Sequence, residues 1–358
     1  MKKFIISFIV STLFVFAATS QTAVPSGFTI PEEINSEIET NKAASRKSIS
    51  GAFDDITNLF SDVLPENASL LGAQPDAYIG KLFPSIPLHF TAGLSFSGTF
   101  IETATFTDAV QTLADGIQES YKLASSENSF TIDFDLPSTL PIPSAAFNLR
   151  IGGIILPFDL GVYGITTLND SLKDISADDF KFGLNYTTVG VDLRYELYKG
   201  SLFLPKISAG AGYIYSDLGF DFEMSKQVDI SVASVPVPST LNSAISLSST
   251  THTIFAQVQA SKKLLVFEPY IGVKLFMSRY TNKYDWNYET KNGIETIENA
   301  FSDKDSSSKT TDFSSDTMAT QFFGGLGITL LKFQITLNGA YNAKTNYWSA
   351  GIGFNFKN

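Results

Sequence analysis

Residues 348–356 place Trp348, Ala350, Ile352, Phe354 and Phe356 on one side of an extended chain and Ser349, Gly351, Gly353 and Asn355 on the other. A strict two-residue period marks a strand with one apolar and one polar face, because successive side chains point to opposite sides. This segment also matches the roughly 9–11 residues that a tilted strand needs to cross the hydrocarbon core of a bilayer. The same pattern recurs throughout the chain after residue 87, which restricts the fold to one built from strands with one greasy face.

The amino-terminal end reads as an export signal. Met1, Lys2 and Lys3 form a basic start, Phe4 to Ala17 is almost unbroken apolar sequence, and Ala18, Thr19 and Ser20 supply small residues for cleavage. Residues 1–20 are therefore expected to be a signal peptide removed near Ser20. No later stretch approaches the 18 or so apolar residues of a membrane helix, so a mature chain that crosses a membrane must cross it as strands. There is no cysteine, hence no disulfide framework. The 31 Phe, 14 Tyr and 25 Gly with only 17% charged residues suit strands with small inward positions. A net charge of −11 weighs against nucleic acid as a partner.

Parity delimits the strands. Leu88, Phe90, Ala92, Leu94 and Phe96 alternate with polar or small residues, as do Phe147, Leu149 and Ile151, then Phe158, Leu160 and Val162. Val189, Val191, Leu193, Tyr195 and Leu197 follow, then Phe203, Ile207, Ala209, Ala211, Tyr213 and Tyr215, and then Ile254, Ala256, Val258 and Ala260. Leu265 to Met277, Met318 to Leu330, Phe333 to Tyr341 and the segment ending at Phe356 complete the set. Connections near Pro157, Gly200, Lys263 and Lys332 are a few residues long, and those between them are long. This alternation predicts an all-β, up-and-down antiparallel transmembrane barrel of about 10 strands, with 8–14 admissible, over residues 85–358. The outer loops fall at 102–143, 167–179, 223–249 and 282–316, and an even strand count is expected to leave both chain ends on the short-turn side.

The signal peptide, the dyad strands, the turn asymmetry and the aromatic carboxy-terminal strand together resemble the integral outer-membrane β-barrel proteins of double-membraned bacteria. The resemblance implies residence in the bacterial outer membrane, contact with its lipid, and insertion by the barrel-assembly machinery acting on the carboxy-terminal strand. It implies location rather than activity. Tyr213, Tyr215, Tyr341 and Trp348 at one end, with Phe356 and its neighbours at the other, are expected to form interfacial aromatic girdles.

Residues 21–84 follow a different period. Pro31, Glu32 and Glu33 look like a helix start, and Ile49, Phe53, Ile56 and Phe60 recur on one helical face, so two short helices serving as a plug or periplasmic cap are expected. Val110, Leu113, Ala114 and Ile117 predict a further helix within 104–123. Asp303 and Asp305 lack the glycine and terminal glutamate of a calcium loop, so no metal is expected there.

Catalysis finds little support. The two histidines, His89 and His252, have no nucleophile and orienting acid at recognisable spacing. The glycine pairs Gly210 with Gly212, Gly325 with Gly327 and Gly351 with Gly353 precede no helix and are read as small lumen-facing residues rather than phosphate loops. No cofactor is implied. The constellation that stands out is a lumen layer of Arg150, Asp159, Asp192, Arg194, Glu196, Lys206 and Glu268 with Lys274 above it, either a charge filter or a salt-bridged filling. The expected function is a non-enzymatic narrow channel or passive transporter for small solutes. The alternative is a closed barrel anchoring surface loops that meet an extracellular ligand or play a structural role, and an outer-membrane enzyme is a distant third.

Overall fold

The computed structural model describes residues 32–80, 89–102, 138–153, 156–166, 175–177, 180–232 and 235–358, together with Ile30 and a few positions between 104 and 112. Its strands are β1 (Phe90–Glu102), β2 (Thr139–Gly152), β3 (Phe158–Thr166), β4 (Ile175–Ala177), β5 (Phe180–Tyr198) and β6 (Lys206–Val232). They continue with β7 (Val235–Ser261), β8 (Phe267–Lys291), β9 (Asp303–Thr311), β10 (Met318–Leu330), β11 (Phe333–Asn342) and β12 (Trp348–Lys357). Ten of them close an antiparallel barrel in the order β1-β2-β3-β5-β6-β7-β8-β10-β11-β12, sealed by pairing of β12 with β1, while β4 and β9 extend the wall on β5 and β8. Closure removes the two edges that the ten-stranded wall would otherwise expose.

The outer wall carries the apolar half of each strand. Leu94, Phe96, Phe147, Leu149, Leu160, Val162, Val191, Leu193, Ile254, Val258, Ile271, Leu275, Ile335 and Leu337 all lie exposed there. On β8 this belt runs from Phe267 to Met277 and then gives way to Arg279, Lys283 and Asp285. The change is level across the ladder, because Tyr215 stands beside His252 and His252 beside Arg279. A belt of this width matches a tilted crossing of the hydrocarbon core.

Beyond the belt the pattern inverts. Residues Asp217, Asp221 and Asp285 point outward, while Leu241, Leu247, Tyr284, Trp286 and Tyr288 are buried on the inner face. The segments 223–249 and 282–291, expected to be loop, are the upper halves of β6, β7 and β8, still paired up to Val232 with Val235. The reason is a change of solvent: once lipid no longer bathes the outside, the apolar residues move to the side that has something to pack on. Phe203 and Leu265, expected in strands, lie instead in the turns preceding β6 and β8. The first long loop and most of its expected 104–123 helix lie outside the described residues. Thr107 and Thr112 there donate to the carbonyls of Ala104 (2.9 Å) and Asp108 (2.8 Å), as in helical turns.

What the inner face packs on is α1, a single helix from Glu32 to Leu71 rather than two short ones. No breaker interrupts residues 41–48, and Ile38, Lys42, Ser45 and Ile49 are buried at spacings of four, three and four, so one face runs on unbroken. Pro65 lies within the helix near its end. At 1.5 Å per residue α1 is about 60 Å long, roughly twice the hydrocarbon thickness. Its upper half packs Ile49, Phe53 and Ile56 against Leu241, Leu247, Tyr284, Trp286 and Tyr288, with Phe60 at the margin and the Phe53 and Tyr284 rings 5.2 Å apart. Its lower half lies in the bore, and residues 72–80 continue downward toward the short-turn end. The helix therefore begins, at Glu32, at the long-loop end, while the carboxy-terminal strand finishes at the short-turn end; the expected position of the amino-terminal chain end lies outside the described residues.

Phe53 is fully buried, so Phe53→Ala is expected to weaken the seating of the upper helix by about 3–5 kcal/mol. The measurement is protease sensitivity of residues 32–56 in the folded barrel, which should rise sharply while the barrel itself stays resistant.

Candidate functional site

The bore is the place where functional side chains converge, and its floor is built on Asp159 of β3. Register places Asp159 opposite Arg194 of β5, and Gly161 opposite both Arg150 of β2 and Asp192 of β5. Gly161 has no side chain because a Cβ there would lie 2.3 Å from the Arg150 guanidinium. Arg150 donates to Asp159 at 2.6 Å and forks onto both oxygens of Asp192 at 2.7 and 2.8 Å. Arg194 donates through Nε and Nη2 to the two oxygens of Asp159 at 2.9 and 3.0 Å. All four groups are buried. Opposite charges in this bidentate geometry offset the cost of removing each from water.

The descending segment completes the layer. Arg194 Nη1 donates to the Asp76 carbonyl (2.7 Å) and the backbone N–H of Ile79 donates to Asp159 Oδ2 (3.1 Å). The Asp76 carboxylate takes Lys357 of β12, with Lys206 3.9 Å away, and Lys357 also lies 3.8 Å from Glu268. Lys206 donates to the Tyr78 carbonyl at 3.3 Å. Higher up, Lys274 donates to the Ser69 carbonyl (3.0 Å), with the rings of Phe255 and Phe323 at 5.0 and 5.1 Å from its nitrogen. Glu196 is half-buried at the short-turn end and takes no part in the buried ion-pair cluster.

Residues 66–79 bond to every one of the ten barrel strands. Besides the contacts above, Ser97 of β1 donates to Asn67 (2.5 Å), Asn67 donates to the Ile142 carbonyl of β2 (2.7 Å), and Ala77 N–H donates to Ser261 of β7 (2.9 Å). Ser69 donates to Gln321 of β10 (2.7 Å), and Asn342 of β11 donates to Glu66 (2.5 Å). Gly327 leaves room for Pro75, which would meet a Cβ there at 2.6 Å. Outside the bore, Arg46 of α1 forks onto Asp303 at 2.5–3.1 Å, and Ser50 donates to Asp305 at 3.4 Å, so both aspartates serve as helix anchors.

The expected girdle aromatics fall at two levels. Tyr341 and Trp348 pair at 4.7 Å at the long-loop end, and Tyr213 donates or accepts at His252 Nδ1 (2.6 Å) with Tyr215 against the same ring at 5.4 Å. Phe356 packs with Phe90 and Phe333 at 6.0 and 5.9 Å at the short-turn end. Sequence reading missed Asp76 and Lys357, the two residues that tie the descending segment to the last strand. The available signal was Asp76 itself, a charge in a segment otherwise rich in Leu, Ala, Pro, Tyr and Ile.

Asp159→Ala leaves two buried guanidinium groups short of a partner, so it is expected to destabilise the barrel by about 3–5 kcal/mol. Urea-induced unfolding from vesicles, followed by tryptophan emission, measures it.

No curated protein matches the chain in sequence. Among solved structures, the translocator domain of the autotransporter NalP from Neisseria meningitidis aligns over 77% of this chain and 90% of its own at 5% identity, with a TM-score of 0.30. A Pseudomonas aeruginosa FadL homologue aligns over 81% and 97% at 8% identity, TM-score 0.27. The transport unit of the autotransporter AIDA-I from Escherichia coli aligns over 83% and 98% at 10% identity, TM-score 0.23. The family model described as Lsa36-like matches residues 67–357, from the last turn of α1 through the whole barrel. The chain belongs to the Lsa36-like family.

Proposed function

We propose that this protein sits in the bacterial outer membrane with its long-loop end outside the cell, as a closed barrel that anchors a surface structure. The working part is then the outer extension formed by the upper halves of β5 to β8, by β9, by the α2 turn (Glu295–Ala300) and by the upper half of α1. One observation carries the reading: residues 66–79 are hydrogen-bonded or ion-paired to all ten strands, so the bore is filled by the chain itself. A narrow solute channel would need this filling to leave, at the cost of exposing or stranding the paired charges of the floor. A small closed barrel with charged residues inside serves better as a post than as a pore.

One turn of the outer structure is held by a pair of backbone contacts to a single carboxylate. Glu298 accepts the backbone N–H groups of Asn292 and Gly293 at 2.8 and 2.7 Å, which holds its carboxyl below the usual range and fixes the turn. Its substrate or ligand is an extracellular molecule bound at this surface, or a neighbouring surface component.

Planar-bilayer recording tests the reading. The full mature chain is expected to be silent, and a chain lacking residues 32–79 to conduct in ohmic steps. Steady conductance from the full chain, with ion selectivity altered by Lys206→Glu, would overturn the closed anchor and restore the solute channel.

A further inference from the structure

The short-turn end carries apolar side chains where a water-facing turn would carry polar ones. Leu156 is 61% exposed, Leu202 83%, Phe203 87%, Leu265 92% and Leu331 98%, so each of the four short connections presents at least one. Two of them also sit in strained backbone. Leu265 and Leu331 have φ of 56° and 57°, the left-handed region in which a Cβ crowds the following carbonyl and which glycine or asparagine tolerates best. Among the described residues the remaining non-glycine in this region is Asn346, at the long-loop end, a residue type suited to it. The tight hairpins, closed by Leu264 with Phe267 and by Leu330 with Phe333, call for this backbone, yet the leucine side chains placed there gain no packing inside the chain because they are almost wholly exposed.

The same turns are basic. Residues 153–157, 199–205, 262–266 and 331–332 contain Lys199, Lys262, Lys263 and Lys332 and no Asp or Glu, in a chain whose net charge is −11. Lys262 donates to the carbonyls of Leu202 and Leu204 at 2.7 and 3.1 Å, so one turn holds the apolar tip of its neighbour in place. Lys332 lies 5.8 Å over the Phe356 ring, and Lys199 and Lys263 are exposed. The apolar tips run on without a break from the lipid-facing belt through Leu197, Phe267 and Phe333, all exposed on the outer wall.

We propose that this rim is a binding surface for anionic phospholipids of the leaflet on the short-turn side. Leu156, Leu202, Phe203, Leu265 and Leu331 enter the boundary between headgroups and acyl chains, and the lysines reach the phosphates farther from the bilayer centre. The partner is lipid rather than a protein because the apolar tips circle the barrel at one depth and continue the belt, instead of forming a patch to one side. The proposal needs the barrel to span a bilayer but not the closed-anchor reading, and the experiment below does not measure conductance.

The chain has no cysteine, so single-cysteine variants can be spin-labelled without background. Labels at Leu265→Cys and Leu331→Cys, in vesicles of phosphatidylcholine with phosphatidylglycerol, are expected to be open to oxygen and shielded from a water-soluble nickel chelate. A label at Asn346→Cys should show the reverse. Labels at 265 and 331 that the chelate reaches as freely as at 346 would sink the proposal and leave the rim to a periplasmic protein. Lipid counting by native mass spectrometry tests the charge: the unsubstituted chain should prefer phosphatidylglycerol, by a factor of the order of fivefold per lysine. The triple change Lys199→Gln, Lys263→Gln, Lys332→Gln should bring the two lipids close to parity. No preference in the unsubstituted chain would overturn the anionic part of the assignment.

Discussion

The constraint on which the molecule turns is the need to satisfy charges inside a ring sealed from lipid. A strand wall that faces hydrocarbon outward must turn its polar half inward. In a bore of ten strands those groups meet one another. Asp159 sits at the centre of the solution, taking Arg150 and Arg194 from the wall and the Ile79 N–H from the descending segment. Once that carboxylate is shared between wall and filling, neither can move without stranding a charge.

The balance of contacts changes along the length of α1. Within the membrane belt the helix end and the residues after it are held by hydrogen bonds and ion pairs to the wall, together with Leu70 and Leu71 packed on inward rings such as Tyr163, Phe255, Tyr270 and Phe323. Above the belt the same helix is held by Phe53, Ile49 and Ile56 against Tyr284, Trp286 and Leu247, because the strands there have turned their apolar side inward. The inversion between Tyr215 and Asp217 on β6 thus sets where the apolar belt ends on the outside and where the inner wall no longer contributes paired charges like those of the floor. The outer extension and the helix each provide the surface the other buries.

Much of the barrel was legible in the sequence because lipid imposes a strict period on every strand it touches. The limits of β10, Met318 to Leu330, coincide with the parity reading, and β11 and β12 differ from it by one residue. The upper halves of β6 to β8 were hidden by the inversion: a phase shift of one residue, with Ser246 and Ser248 outside and Leu247 inside, reads as the end of a strand and the start of a polar loop. The charged floor could be assembled from parity, since Arg150, Asp159, Asp192 and Arg194 are all inward by alternation. Asp76 stood out only as a lone charge in residues 72–80, and the local pattern does not say that this irregular segment will lie on the floor of a bore. Glu196 shares the parity of Asp192 and Arg194 but lies too near the short-turn end to be enclosed. Nor does helical periodicity alone say which way α1 points.

That direction has a topological consequence. A helix that starts above the ring and a strand that leaves from below it make the chain a thread through its own closed loop. Such an object cannot be made by completing an empty ring and filling it afterwards from the side. Either α1 lies in the groove before β12 zips to β1, so that the wall wraps around it, or the upper end of the helix travels lengthwise through a finished bore. In both routes Glu32 ends on the far side of the ring from the start of β1, and pulling on the helix from there tightens the thread against Asp76, Lys357 and β12.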